Sequence, residues 1–525
     1  MLDWLAHGGL SDRRLAVLRL IVAGAAVSAL VVEVALELRG DAPSSRAKKL
    51  VGGVLASLAV VVYFQAFDFG YTHLLHRSEH FHYHVGAKYL DELGYERLYV
   101  CSTVAEVELR GEAAVRGRTL RDLSRNELVP ATTALERSDE CHARFSSTRW
   151  ASFRRDVGVF RDLAGDDYWQ TIQNDHGFNG TPAWAVVGRS LASLAPASPG
   201  FLRGLAGIDL VLMSATMGML AWAFGWRVMC LAAVFWGTQA ASTLYWTGGA
   251  FLRQDGIACL VGAACFLRKG RPGVAGGLLA YATLTRLYPV FVVATLAVTA
   301  LGAWYRRGEL PREWKRLAMG ALVVACVLGP ASLTTGTATW REFATHLRMH
   351  DATPTSNRMG LRAVLGHHAE GRIDRVHRPR AVDPFARWKE LRRARLADLR
   401  LVHVGGLVAG AGLIAWAAHR LQRPWLSLGV GLLALTVHAG LTCYYHSFLV
   451  LAAPLSRARR HVELALLAVA VVGNAITLRF VAWDDRYALL SLLHIAFAVF
   501  VAMLLARTPA SFGLLSFTAR PASPE

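Results

Sequence analysis

Nowhere in the chain does a glycine-rich phosphate loop follow a predicted strand, and no strand–helix alternation marks a doubly wound nucleotide domain. A soluble nucleotide-binding module of that kind is therefore excluded as the source of its chemistry. Charged residues are sparse, 18% of 525 against 54% hydrophobic, and so few polar groups could not cover the surface of a soluble protein. Cysteine is scarce, with seven in all. Only Cys101 and Cys141 fall in a polar segment, while Cys230, Cys259, Cys265, Cys326 and Cys443 lie in or beside apolar stretches, where thiols act as small packing residues. If the polar segment faces an oxidising compartment the first two can pair, but sequence does not give their separation. No histidine stands at the offset from His367-His368 that a paired H-x-x-H-H box requires. No internal repeat is evident, which counts against a transporter built from two related halves.

What the chain does have is apolar stretches near the roughly 20 residues needed to cross a bilayer, among them 16–36, 51–67 and 317–333. The first has no small-residue cleavage site before the next, so it reads as a retained membrane helix. The net charge of +19 is dispersed in short loops beside these stretches and not gathered into one basic domain, so the expected partner is the membrane and not nucleic acid. Loops 39–49, 268–271, 306–316, 419–423 and 457–460 are all basic, and one threading puts all of them on the cytoplasmic side. That threading predicts an all-α polytopic bundle of about 13 spans. Its units are membrane helices 1–69, a first extracytoplasmic segment 70–204, central membrane helices 205–335, a second extracytoplasmic segment 336–400, and C-terminal membrane helices 401–525. The middle of the first segment, 105–167, reads as a small cap of helices, and 173–182, rich in Asn, Gly and Pro, as a structured loop.

The densest chemistry lies in 68–99, whose spacing predicts a helix. Glu79, Tyr83 and Ala87 would share one face, as would His76, His80 and His84. A carboxylate at the membrane surface among aromatics suits a general base, because partial burial raises its proton affinity; the plain alternative is an amphipathic interfacial helix with its charges in water. Arg253 and Arg286 sit at the ends of apolar stretches, where an arginine is costly unless it faces a polar cavity or a partner. Their guanidinium forks match phosphate; otherwise Arg253 pairs with Asp255, or Arg286 snorkels to the surface. His76/His80/His84 and His346/His350 have four-residue spacing that can chelate a metal, which would suggest a metal-dependent membrane oxygenase. His446, beside Tyr444 and Tyr445, reads as a hydrogen-bonded structural residue and a minor site candidate.

Glu79, Tyr83, Ala87 and then Leu98-Tyr99 resemble the first outer loop of GT-C superfamily glycosyltransferases, especially the membrane mannosyltransferases that use polyprenyl-phosphate mannose. The likeness continues, in order, through 245–256, 276–280, 285–289 and 357–361. An extra N-terminal span and the insertion 105–167 depart from the pattern and are expected to hold a specific acceptor or partner. The resemblance implies a GT-C-like bundle in a bacterial plasma membrane that moves a hexose such as mannose, with inversion, from a polyprenyl-phosphate donor to a lipid or glycan acceptor outside the cytoplasm. It implies Glu79 as catalytic base, with Asp68 at the mouth of the second span in reserve. Arg253 and Arg286 would hold the lipid phosphate, and Tyr83, Asp255, His346, His350, Asn357 and His446 would line the substrate site. No metal site or cofactor is expected, with a divalent cation left open. The non-enzyme alternative is a transporter or flippase for a lipid-linked oligosaccharide.

Overall fold

In the computed structural model, which describes residues 12–69, 74–421 and 423–507, helices dominate and strands are confined to one hairpin, Thr119–Asp122 with Glu127–Pro130. Six helices are long and apolar enough to cross a membrane: Asp12–Arg39, Pro199–Phe224, Arg312–Thr335, Arg400–Arg420, His461–Arg479 and Trp483–Ala506. The chain is mostly helical with helices of membrane-crossing length, as composition led one to expect, but the stretch 105–167 read as a cap of helices also contains the hairpin. Other apolar stretches fold as shorter helices, such as Trp226–Thr238, Asp255–Arg268 and Pro272–Arg286. At 13, 14 and 15 residues they reach only about 20 Å at ~1.5 Å per residue, and they are buried among the longer ones.

Local chemistry explains where the helices begin and turn. Ser198 accepts a hydrogen bond from the Phe201 N–H ahead of Pro199, so the Pro199–Phe224 helix opens with a side-chain cap and a proline already at helical φ. It stops at Gly225, whose φ of +90° favours glycine and lets the chain reverse at once into Trp226–Thr238. Pro272–Arg286 and Arg312–Ser332 approach so closely that a Cβ on Gly276 would lie 1.9 Å from the Leu317 carbonyl oxygen. Small residues permit that approach, and dispersion between the two backbones holds it in a lipid setting where apolar burial contributes little.

A second core, drawn mostly from residues 75–205 and joined by Phe251, Leu252 and Phe343, is built on buried Phe81, Tyr89, Phe153, Phe160, Trp169 and Trp184. Its interior holds charge, and each charge is answered. Asp156 accepts from Lys88 Nζ at 2.8 Å, the Tyr89 hydroxyl at 2.8 Å and the Ala197 N–H at 3.2 Å. Glu106 accepts from Arg118, Arg161 and the Trp169 indole at 2.6–2.8 Å. A buried carboxylate left unpaired would destabilise by several kcal/mol, ~3–5, so these hubs tie the cap's helices to one another. Cys101 and Cys141 are joined by a disulfide within this core, with Cα atoms 5.5 Å apart, which settles the pairing that sequence left open. Closing a loop of 40 residues restricts the unfolded cap by about 4 kcal/mol. The Cys101→Ser, Cys141→Ser double variant is expected to show early protease cleavage within 105–167 while the bundle stays folded; limited proteolysis with and without reductant measures it.

The expected helix in 68–99 is present but not uniform. Arg77–His80 is followed by a π turn, Phe81–Val85, before Gly86–Lys88. The wider turn breaks the four-residue register. Ala87 accordingly packs on Pro182–Ala192, where the Arg189 guanidinium donates to its carbonyl, while Glu79 and Tyr83 reach the same arginine in the bundle.

Candidate functional site

The site is organised by backbone that is not helical. Between Leu244–Thr247 and Asp255–Arg268 the chain runs through Gly249, at φ +71°, and Leu252, at φ +50°. Asp209, inside the Pro199–Phe224 helix, accepts from the N–H groups of Arg253 and Gln254 at 3.0 Å each. Those donors are the ones an incoming helix leaves unsatisfied, so Asp209 fixes where the Arg253 side chain begins. An acidic residue within a membrane-length helix marks a functional or positioning site by the same cost argument that singled out the arginines. That signal was present in the sequence and was missed.

The Arg253 side chain is an ion-pair partner of Glu79 and is almost fully buried. Its guanidinium carbon lies over the rings of Tyr444 at 4.6 Å, Tyr83 at 5.0 Å and Tyr445 at 5.8 Å, and Nη1 donates to the Tyr445 hydroxyl at 3.3 Å. Stacking on aromatic faces is a use of arginine that lysine does not share. Arg286, at the end of Pro272–Arg286, bonds Asp255 Oδ1 at 2.6 and 3.1 Å, donates to the Leu252 carbonyl, and lies 5.5 Å from the Trp184 ring. Tyr281 donates its hydroxyl to the other Asp255 oxygen at 3.1 Å. Tyr288 meets Tyr445 edge-on at 5.5 Å. Two guanidinium groups thus stand in one aromatic cage.

The alternative readings of the two arginines are corrected here. Asp255 pairs with Arg286 and not with Arg253, and Arg286 does not snorkel: its side chain is only 5% exposed. The Glu79 carboxylate faces the guanidinium of Arg253, a partner that its helical spacing did not indicate. Asp68 is exposed in the turn after Ser45–Tyr63, where Gln65, Ala66 and Phe67 all take positive φ.

A second wall comes from 336–400. His346 Nε2 is 2.8 Å from Asn179 Oδ1, and its ring lies on Tyr95. His350 meets His176 edge-on at 5.3 Å and holds Arg358, which donates to the His350 carbonyl at 3.0 Å. Asn357 contributes through its backbone, since its carbonyl accepts from the Cys443 N–H at 2.8 Å beside the Arg358–Thr442 bridge. That short pairing seats the second segment against Tyr444. His446 instead hydrogen-bonds His494 at 2.8 Å and packs on Phe448.

Asp175, in the loop 173–182, is a second acidic residue outside the set of site candidates read from the sequence. Its half-exposed carboxylate faces His82 Nδ1 at 3.9 Å. Burial first, then the phenols of Tyr445 and Tyr444 and the charge of Asp175, push the Tyr83 phenol well above its ordinary value. Only the fold brings that loop to the cage.

The histidines at four-residue spacing do not converge with other ligands: no group of three His, Cys, Asp or Glu side chains able to hold a metal occurs among the described residues. His80 and His84 pack on Phe251, Phe160 and Phe201, and burial pushes both down to about 3 from 6.5. A base held neutral in the folded state and protonated when unfolded contributes fully above its unfolded value. That contribution is lost as pH falls from 6.5 toward 3. The cap is expected to open on acidification below pH ~6, followed by amide hydrogen exchange across 77–110, and His84→Leu is expected to flatten the pH dependence. An unchanged profile in that variant would refute the assignment.

No protein-family model matches the chain. No curated protein matches it, and no solved structure does.

Proposed function

We propose that the chain is an integral membrane glycosyltransferase that moves a hexose such as mannose from a polyprenyl-phosphate donor to a lipid or glycan acceptor, with inversion. The observation that carries this reading is the convergence of Glu79, Arg253 and Arg286 in one aromatic cage at the junction of the bundle and the cap. A phosphate-bearing lipid needs fixed cations beside an apolar approach, and a hydroxyl acceptor needs a base within reach of both.

In this mechanism the donor phosphate displaces Glu79 from Arg253 and is held by Arg253 and Arg286. Glu79, released, takes the acceptor proton as the acceptor oxygen bonds to the anomeric carbon. The bond from that carbon to the phosphate oxygen breaks on the opposite face, and its electron pair leaves with the lipid phosphate. The two guanidinium groups answer the charge that develops there, an effect enlarged in a water-poor cage. Tyr83 and Trp184 offer ring faces to the sugar and arginines, and His346, His350 and Asn357 hold the second wall. The protein contributes every group in this scheme.

The reading carries with it about 13 spans and an extracytoplasmic site in a bacterial plasma membrane. A reporter fused after Lys49 is expected to read cytoplasmic, and one near Arg125 or Ala381 external; the reverse would put Glu79 on the wrong face for such a donor. The direct test is purified protein in liposomes with polyprenyl-phosphate [14C]mannose and extracted membrane acceptors. Label is expected to leave the donor and join the acceptor. Movement of intact donor between leaflets without cleavage would instead establish the flippase reading, which the same pair of cations would serve without any base.

A further inference from the structure

At the other end of the bundle lies a crevice of about 680 Å³ between the Asp12–Arg39, Ser45–Tyr63 and Trp226–Thr238 helices. It is remote from the cage. Arg253 lies two residues before the start of the Asp255–Arg268 helix, and the far end of that helix, Arg268, stacks on Trp425. Trp425 packs on Phe224, whose carbonyl accepts from Arg457, a wall residue of the crevice. A 14-residue helix therefore separates the two places, about 21 Å at ~1.5 Å per residue.

The crevice is built like a receptor for an amphiphile. Its inner wall is apolar, with Ala26, Ala29, Leu30, Leu55 and Val234. Beside its opening Val32 and Val51 are about half exposed, as side chains that face lipid tails are. Its mouth is charged. Glu33 pairs with Lys48 at 3.0 Å, Arg227 at 2.8 Å and Arg460 at 3.0 Å; Arg227 also pairs with Glu463 at 3.0 Å, and Lys48 with Glu37 at 2.7 Å. In this network three cations, Lys48, Arg227 and Arg460, meet three carboxylates, Glu33, Glu37 and Glu463, and their charges cancel. Lys49 and Arg457 also line the crevice and have no carboxylate partner among the described ion pairs, so the mouth carries two surplus positive charges. The Trp226 indole, half exposed, donates to the Lys49 carbonyl at 3.1 Å, placing an aromatic anchor at the same level.

We propose that this crevice is a binding site for an anionic phospholipid, with one acyl chain along the apolar wall and the phosphodiester between Lys49 and Arg457. The volume lies within the roughly 300–1,000 Å³ of small-molecule sites, and the surplus charge favours an anionic over a zwitterionic headgroup. The paired network supplies rigidity: it holds the three helix ends that form the mouth, so the two surplus cations are presented in fixed positions. The inference is independent of the sugar-transfer reading.

The test is native mass spectrometry of the full chain released from detergent, titrated with chain-matched phosphatidylglycerol or phosphatidylcholine. Wild type is expected to retain phosphatidylglycerol about tenfold more tightly than phosphatidylcholine, and Lys49→Gln to lose about fivefold for the anionic lipid alone. Ala29→Phe, which fills the apolar wall without altering charge, is expected to remove the tight site for both lipids, with melting temperature confirming that it folds. Equal retention of both lipids by wild type, or full retention of phosphatidylglycerol by Ala29→Phe, would overturn the proposal.

Discussion

Replacing Glu79 by Gln is expected to lower sugar transfer by about 10²- to 10⁴-fold while donor binding grows tighter, not weaker. The loss follows from removing the carboxylate that pairs with the Arg253 side chain in the cage. The gain follows from competition: in the free protein Arg253 is occupied by Glu79, and an amide gives the donor phosphate a guanidinium it no longer has to win from a carboxylate. A structural role for Glu79 would weaken binding and turnover together, so the split between KM and kcat separates the two. Asp175→Asn and Asp68→Asn are the controls. Should Asp175→Asn abolish transfer while Glu79→Gln retains it, the base belongs to the loop that faces His82, and Glu79 is a latch on Arg253.

Arg286→Ala is expected to lower turnover by about 10²- to 10³-fold, the scale of removing one donor from a developing anion, and to weaken donor binding as well. Its effect has a second origin. Asp255 would be left buried without its cation, which destabilises by ~3–5 kcal/mol. The Arg286→Ala, Asp255→Ala double variant separates these contributions: stability is expected to return because no uncompensated charge remains, whereas transfer stays low. Recovery of transfer in the double variant would show that Arg286 serves only to neutralise Asp255. Thermal unfolding followed by Trp fluorescence and single-turnover transfer measure the two outcomes on the same preparation.

The class of the molecule was legible in the chain because composition and long apolar stretches report directly on solvation. The spans Asp12–Arg39 and Arg312–Thr335 bracket the stretches 16–36 and 317–333 read from the sequence. The weight placed on Arg253 and Arg286 came from the cost of burying a guanidinium, and that cost is a property of the residue and its apolar neighbours along the chain. Asp209 carried the same signal. The π turn at Phe81–Val85 did not, since a single wide turn leaves no periodic trace.

Local sequence thus determined that this is a helical membrane bundle with basic loops, a polar cap and costly charges at the ends of its apolar helices. Only tertiary structure decided who answers those charges. Glu79 meets Arg253, 174 positions away, and Asp255 meets Arg286 in preference to the arginine two residues before it. Cys101 found Cys141, and Asp175 came to the cage through a loop. The physical reason is that hydropathy and periodicity are sums over neighbours in the chain, whereas an ion pair depends on the relative placement of two elements, set by every packing contact between them.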